Sequence, residues 1–188
     1  MQLTQILEEL QTPPQRTSYG CAMIYYHSHV DNIPLLQSIH DTILPEDLHL
    51  MEEGRFVGGL EVEPHTTLLS GLHDEVSVEV VEQLLAPFMF GTVRLSNMSL
   101  FTPEGYEVLK LEASEPSLFL ANRALKHLPH TEMHPTYKPH LTIAYLKPGT
   151  GQKYVDRFKE LEFSLTPSYG VYSYPDDRMV MFPVKVKV

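Results

Sequence analysis

Short apolar runs, set off by prolines, glycines and polar clusters, alternate along this chain between strand-like and helix-like patterns. Residues 21–26 are apolar and β-prone and predict a strand. Residues 34–44 predict a helix, with Asn32 as its cap and Pro34 in its first turn. Residues 46–59 hold Gly54, Gly58 and Gly59 and read as a loop. Residues 65–69 form a strand broken by Gly71, and 74–85 a helix capped by Asp74 and stopped by Pro87. Residues 91–101 and 106–113 read as two strands joined by a turn at Thr102-Pro103-Glu104-Gly105.

A similar order then returns. Residues 116–128 predict a helix begun by Ser114-Glu115-Pro116, 129–139 a loop, and 140–146 a strand broken by Lys147-Pro148-Gly149. A helix over 152–161 and short strands over 162–166, 171–174 and 178–186 complete the chain. The two halves share one pattern, Pro64-His65-Thr66-Thr67-Leu68 and Pro139-His140-Leu141-Thr142-Ile143, and His140 follows His65 by 75 positions. A duplicated α+β lobe, with a pseudo-twofold axis between the motif strands, accounts for the recurrence. No linker rich in Gly or Ser divides the chain, so the expected organisation is an N-terminal helix and linker over 1–18 and a single two-lobed domain over 19–188.

Composition narrows the class. A chain of 188 residues with 43% hydrophobic residues is ordinary for one folded unit. No apolar run approaches the ~20 residues of a membrane span. The start carries Glu8 and Glu9 and no basic segment, unlike a signal peptide. The single cysteine, Cys21, excludes an internal disulfide and fits a reducing, cytoplasmic setting. A net charge of −10, with no dense Lys/Arg cluster before Lys185 and Lys187, argues against a long nucleic acid and for a small nucleotide.

The motif residues suit one chemistry. In a strand, residues two apart share a face, so His65 projects with Thr67 and His140 with Thr142. Cleaving a ribose phosphodiester needs a base to take a proton from the nucleophile and an acid to protonate the leaving oxygen. Histidine, with an ordinary pKa near ~6.5, serves in either role, and either ring can take either part. The threonine hydroxyls can donate to non-bridging phosphate oxygens. A lone His-x-Thr in a strand is packing more often than function. Two copies, polar where an inward strand face should be apolar, reverse that reading.

These paired His-x-Thr motifs, one per lobe, resemble the 2H phosphoesterase superfamily, which includes the bacterial LigT-like RNA 2′,3′-cyclic phosphodiesterases. Residues 59–73 are most similar to the phage anti-CBASS nucleases, which degrade cyclic oligonucleotide alarm signals. The resemblance spans 19–188. It implies two β/α lobes with antiparallel sheets around a central cleft, and catalysis by His65, Thr67, His140 and Thr142 without a cofactor or metal. It further implies a cyclic di- or oligonucleotide substrate cut at 3′–5′ bonds in the host cytoplasm, with Tyr19 and Tyr174 stacking on its bases. The alternatives are a LigT-like enzyme, in which water is the nucleophile, and a protein that sequesters a nucleotide without cutting it.

Other candidates read as structural. His27 and His29 share a strand end with Asp31, a set that can bind metal but is more ordinary as exposed polar surface. His127, His130 and His134 lack zinc-type spacing with cysteines, His73 follows the first motif without a role, and Cys21 is a small buried residue by default. Lys138 and Lys147 flank the second motif and Arg55 precedes the first; each suits either phosphate or solvent.

Overall fold

A computed structural model describes residues 18–27, 29–50 and 59–187; the expected N-terminal helix, Gly54, Gly58 and Arg55 lie outside the described residues. The chain runs β1 (Gly20–Tyr25), α1 (Pro34–His40), β2 (His65–Leu72), α2 (Val78–Leu85), β3 (Met89–Phe90), β4 (Val93–Phe101), β5 (Glu107–Ser114), α3 (Pro116–Leu125), β6 (His140–Leu146), α4 (Gln152–Arg157), β7 (Phe163–Leu165), β8 (Tyr169–Ser173), β9 (Met179–Phe182) and β10 (Lys185–Val186). Eight strands make one antiparallel sheet in the order β7-β4-β5-β6-β2-β1-β8-β9. The short β3 and β10 pair in parallel apart from it.

That order is symmetric about the β6–β2 junction. β5 mirrors β1, β4 mirrors β8 and β7 mirrors β9. The duplicated α+β lobes are therefore present, but they are not successive halves of the chain, as the repeat of elements suggests. After α2 the chain builds the whole second lobe from β4 to β7, then returns to complete the first with β8 and β9. The motif strands are neighbours within one sheet, so both motifs lie on the same face of it.

The helices cover one face of this sheet, because strand alternation makes that face apolar. Thr66, Leu68, Leu141 and Ile143 point into it and are fully enclosed, packed with Leu36 and Ile39 of α1 and with Leu118, Ala121 and Leu125 of α3. Each such aliphatic side chain contributes roughly 1.5–3 kcal/mol on burial. α3 starts where expected, with the Glu115 carboxylate accepting the Ser117 N–H at 2.6 Å and Pro116 in the first turn. α2 starts later than its pattern predicts. Residues 73–76 close a turn instead, and the Tyr174 hydroxyl, not Asp74, accepts the Val78 N–H at 3.0 Å. α1 and α4 end early, since Ile43 N–H bonds His40 O and Leu161 N–H bonds Phe158 O in tightened final turns.

Both motif strands carry a β-bulge at the same place. On β2, Leu69 and Thr67 pair with the adjacent Ala22 and Met23, leaving Leu68 unopposed. On β6, Ala144 and Thr142 pair with the adjacent Leu109 and Lys110, leaving Ile143 unopposed. A bulge re-aims the side chains beyond it. Ser70 and Tyr145, three residues past Thr67 and Thr142, are consequently half-buried on the motif face as well. Gly71 does not break β2 but lies within it at φ 89°, against the carbonyl of Thr131, leaving no room for a side chain.

Candidate active site

β2 and β6 run antiparallel with Thr66 opposite Leu141. One position either side of that pair, the register sets His65 opposite Thr142 and Thr67 opposite His140. All four side chains leave the sheet on the face away from the helices, and all four are half-buried. The two histidines form the diagonal of this quartet, a relation that separates strand positions by about 7–8 Å.

Each imidazole is held in the same way. His65 Nδ1 lies 2.7 Å from the Glu63 carbonyl oxygen, and His140 Nδ1 lies 2.8 Å from that of Lys138. A carbonyl only accepts, so Nδ1 carries the proton and the neutral ring presents a bare Nε2. The surroundings then differ. Tyr25 stacks on His65 with centroids 5.1 Å apart, and Tyr169 stacks on Tyr25 at 5.4 Å. Phe101 meets His140 edge-on at 5.0 Å. Burial holds the His140 imidazole below its ordinary pKa; the charges of Lys110, His65 and His134 push the same way, against its bond to Lys138.

Lys110 is the neighbour that sequence reasoning missed. It pairs with Thr142 across the ladder and is only 6% exposed. Its Nζ donates to Ser99 Oγ at 2.9 Å and sits 4.3 Å from the Phe101 ring centre. Burial lowers its pKa, and Glu112 opposes that. Among the described residues no carboxylate forms an ion pair with it, so a buried cation stands beside the motif with a hydroxyl and a ring as company. Its signal was Val108-x-Lys110-x-Glu112, a face that turns polar next to the second motif.

A cavity of about 720 Å³ opens beside the quartet and reaches round to Asn122 and Lys126 at the end of α3. Thr67, Thr142 and His140 line it with Phe101, Tyr106 and Tyr145, while His65 lies outside its wall. Residues 132–138 form the opposite side, with Lys138 and His134 among them. This loop is tied down: Tyr137 Oη donates to Thr67 O at 2.9 Å, and Thr131 N–H to Gly71 O at 2.8 Å.

The remaining expected residues lie elsewhere. Tyr174 is on the helix face, 4.6 Å from the buried Tyr172 ring and under the Arg178 guanidinium at 3.9 Å. It is therefore set apart from the quartet, and Tyr169 is the aromatic of β8 that stands on the motif face. Tyr19 is half-buried beside His73 at 6.2 Å, at the end of β1 opposite to Tyr25. Lys147 donates to the Glu46 carbonyl at 2.7 Å. Cys21 Sγ lies 4.0 Å from Thr67 Oγ1, and burial pushes its pKa up to about 11. His29 Nδ1 accepts the Asp31 N–H, and His73 Nε2 and the Thr131 hydroxyl are 3.0 Å apart.

No protein-family model matches the chain, and no curated protein does so at significance. Among solved structures, Kluyveromyces marxianus Usb1 with uridine monophosphate matches over 91% of this chain and 100% of that one, at 12% identity and a TM-score of 0.51. The two share a fold. It is the two-lobed α+β arrangement that the resemblance to 2H phosphoesterases implies. No helix among the described residues is long and apolar enough to cross a membrane.

Proposed function

We propose that this chain is a phosphodiesterase of the 2H type that cuts 3′–5′ bonds of cyclic di- or oligonucleotides by acid–base catalysis between His140 and His65. One observation carries the reading: the His-x-Thr segments stand side by side, each imidazole pinned through Nδ1 so that Nε2 is left for a proton. The structural neighbour holds a nucleotide monophosphate. The cavity beside Thr67, Thr142 and His140 has the volume and aromatic lining of a small-molecule site.

His140 suits the base, because burial and nearby positive charge favour its neutral form. Its Nε2 takes the proton of a ribose 2′-hydroxyl as that oxygen bonds to phosphorus. The bond from phosphorus to the 5′ oxygen breaks on the far side, and His65 protonates the departing oxygen. The products are a 5′-hydroxyl and a 2′,3′-cyclic phosphate on one linear chain. Thr67 and Thr142 donate to the non-bridging oxygens, where charge grows. Catalysis of this kind requires neither metal nor cofactor. The anti-CBASS role, in a phage-infected host's cytoplasm, follows from the likeness of residues 59–73 and remains part of this proposal.

The mononucleotide in the neighbour favours a second reading, a LigT-like enzyme that opens an RNA 2′,3′-cyclic phosphate with water. Incubation with 3′–5′ cyclic GMP–AMP, and separately with an oligoribonucleotide ending in a 2′,3′-cyclic phosphate, distinguishes them. Both reactions contain EDTA, and mass spectrometry reads the cut. Linearised cyclic dinucleotide supports the first reading; turnover of the RNA end alone selects the second. Binding with the ligand returned intact rejects both.

A further inference from the structure

A bulge is useful only if it stays where it is, and something must hold it. The residue left unopposed in each motif strand, Leu68 or Ile143, immediately follows the motif threonine. Its backbone is buried beneath the helix layer, where a carbonyl needs a partner. A buried side chain from a helix supplies one in each case. Asn122 of α3, 6% exposed, donates from Nδ2 to Leu68 O at 2.7 Å. His40, the last residue of α1 and 4% exposed, sits with Nε2 3.1 Å from Ile143 O, which also accepts the Glu61 N–H at 2.9 Å. Since the acceptor is a carbonyl, His40 carries its proton on Nε2.

The arrangement is crossed between lobes. α1 lies in the chain between β1 and β2 but reaches β6; α3 lies between β5 and β6 but reaches β2. Each lobe's helix thus holds the motif strand of the other. The two donors differ in chemistry, imidazole and carboxamide, yet meet equivalent carbonyls at equivalent bulges.

We propose that His40 and Asn122 are positioning residues that lock the two bulges. They keep Thr67 with His65, and Thr142 with His140, aimed at one phosphate. The inference rests on the catalytic reading of those four residues. Without the donor, the bulge is free to slide along the ladder, and a slide of one residue toward the motif turns Thr67 or Thr142 out of its facing. The transition state, which tolerates little misplacement, loses more than the bound ground state.

The experiment compares steady-state kinetics of His40→Leu, His40→Gln and Asn122→Leu with the parent on 3′–5′ cyclic GMP–AMP. Circular dichroism and thermal melting confirm the folded fraction. His40→Gln keeps an N–H donor; Asn122→Leu removes the other donor with little change of shape and sustains the test if His40→Leu does not fold. The expected result is a kcat lowered at least tenfold in His40→Leu and Asn122→Leu, a KM within about threefold of the parent, and most of the rate restored in His40→Gln. Parental kcat in folded Asn122→Leu or His40→Leu overturns the proposal, as does a His40→Gln no faster than His40→Leu. Parental turnover that survives His140→Ala instead refutes the catalytic reading, so the two failures are told apart.

Discussion

Replacing Thr67 or Thr142 by valine separates catalysis from folding at this site. Valine keeps the β-branched shape and removes only the hydroxyl. Neither threonine belongs to the enclosed core, and the side-chain partner of Thr67 Oγ1 is the Cys21 thiol at 4.0 Å, a weak contact. The hydroxyl of Thr142 bonds Tyr145, whose pKa is pushed up to about 12, burial being the largest cause. Losing one such bond on a half-exposed surface costs about 1 kcal/mol of stability. Losing a preorganised donor to the transition-state oxyanion costs ~2.7–4 kcal/mol, or roughly 10²–10³ in kcat. Each variant should therefore melt within a few degrees of the parent while turning over at least a hundredfold more slowly. Saturating cyclic dinucleotide at neutral pH, with the linear product quantified by mass spectrometry, measures the rate. The double variant should lose less than the product of the two single losses, because both hydroxyls act on one charge. Folded valine variants running within threefold of the parent would refute the assignment of these hydroxyls.

Three further outcomes are expected. In Lys110→Met the acidic limb of the kcat/KM profile should move to higher pH: Lys110, with His65 and His134, disfavours protonation of His140, so removing its charge lets the base protonate sooner, Lys138 and Glu112 being unchanged. A limb that stays in place or moves to lower pH contradicts the stated cause. Gly71→Ala puts a side chain onto the Thr131 carbonyl at positive φ and should cost more than ~1–2 kcal/mol, read as a lower melting temperature together with a raised KM, since the same loop walls the cavity. His40 and His140 both have folded pKa values lowered by burial, so the unfolded chain binds their protons first; stability should be intact above about pH 6.5 and fall as pH drops below it, with a shallower fall in His40→Gln by urea titration at several pH values.

Strand alternation made the quartet legible, since the motifs repeat in sequence and their period of two survives folding up to Thr67 and Thr142. What lies beyond was hidden by the bulges. An extra residue reverses facing, and nothing in Leu68 or Ile143 announces it. Tyr174 was misplaced for a related reason: β8 starts at Tyr169, and parity from there sends 172 and 174 to the helix face. His40 and Asn122 left a faint trace, as polar residues on the apolar stripes Leu36-Ile39-His40 and Leu118-Ala121-Asn122-Leu125. The exchange of strands between lobes was invisible, because pairing partners more than a hundred residues apart leave no local pattern.

That exchange bears on how the protein comes into being. Residues 20–25 and 65–72 are synthesised well before 169–173 and 179–182, which supply one flank of their sheet. Contacts so distant along the chain fold slowly. On the ribosome, the half bearing His65 waits with an open strand edge until 169–182 have emerged, so activity should appear only once that segment has been made rather than grow steadily with chain length.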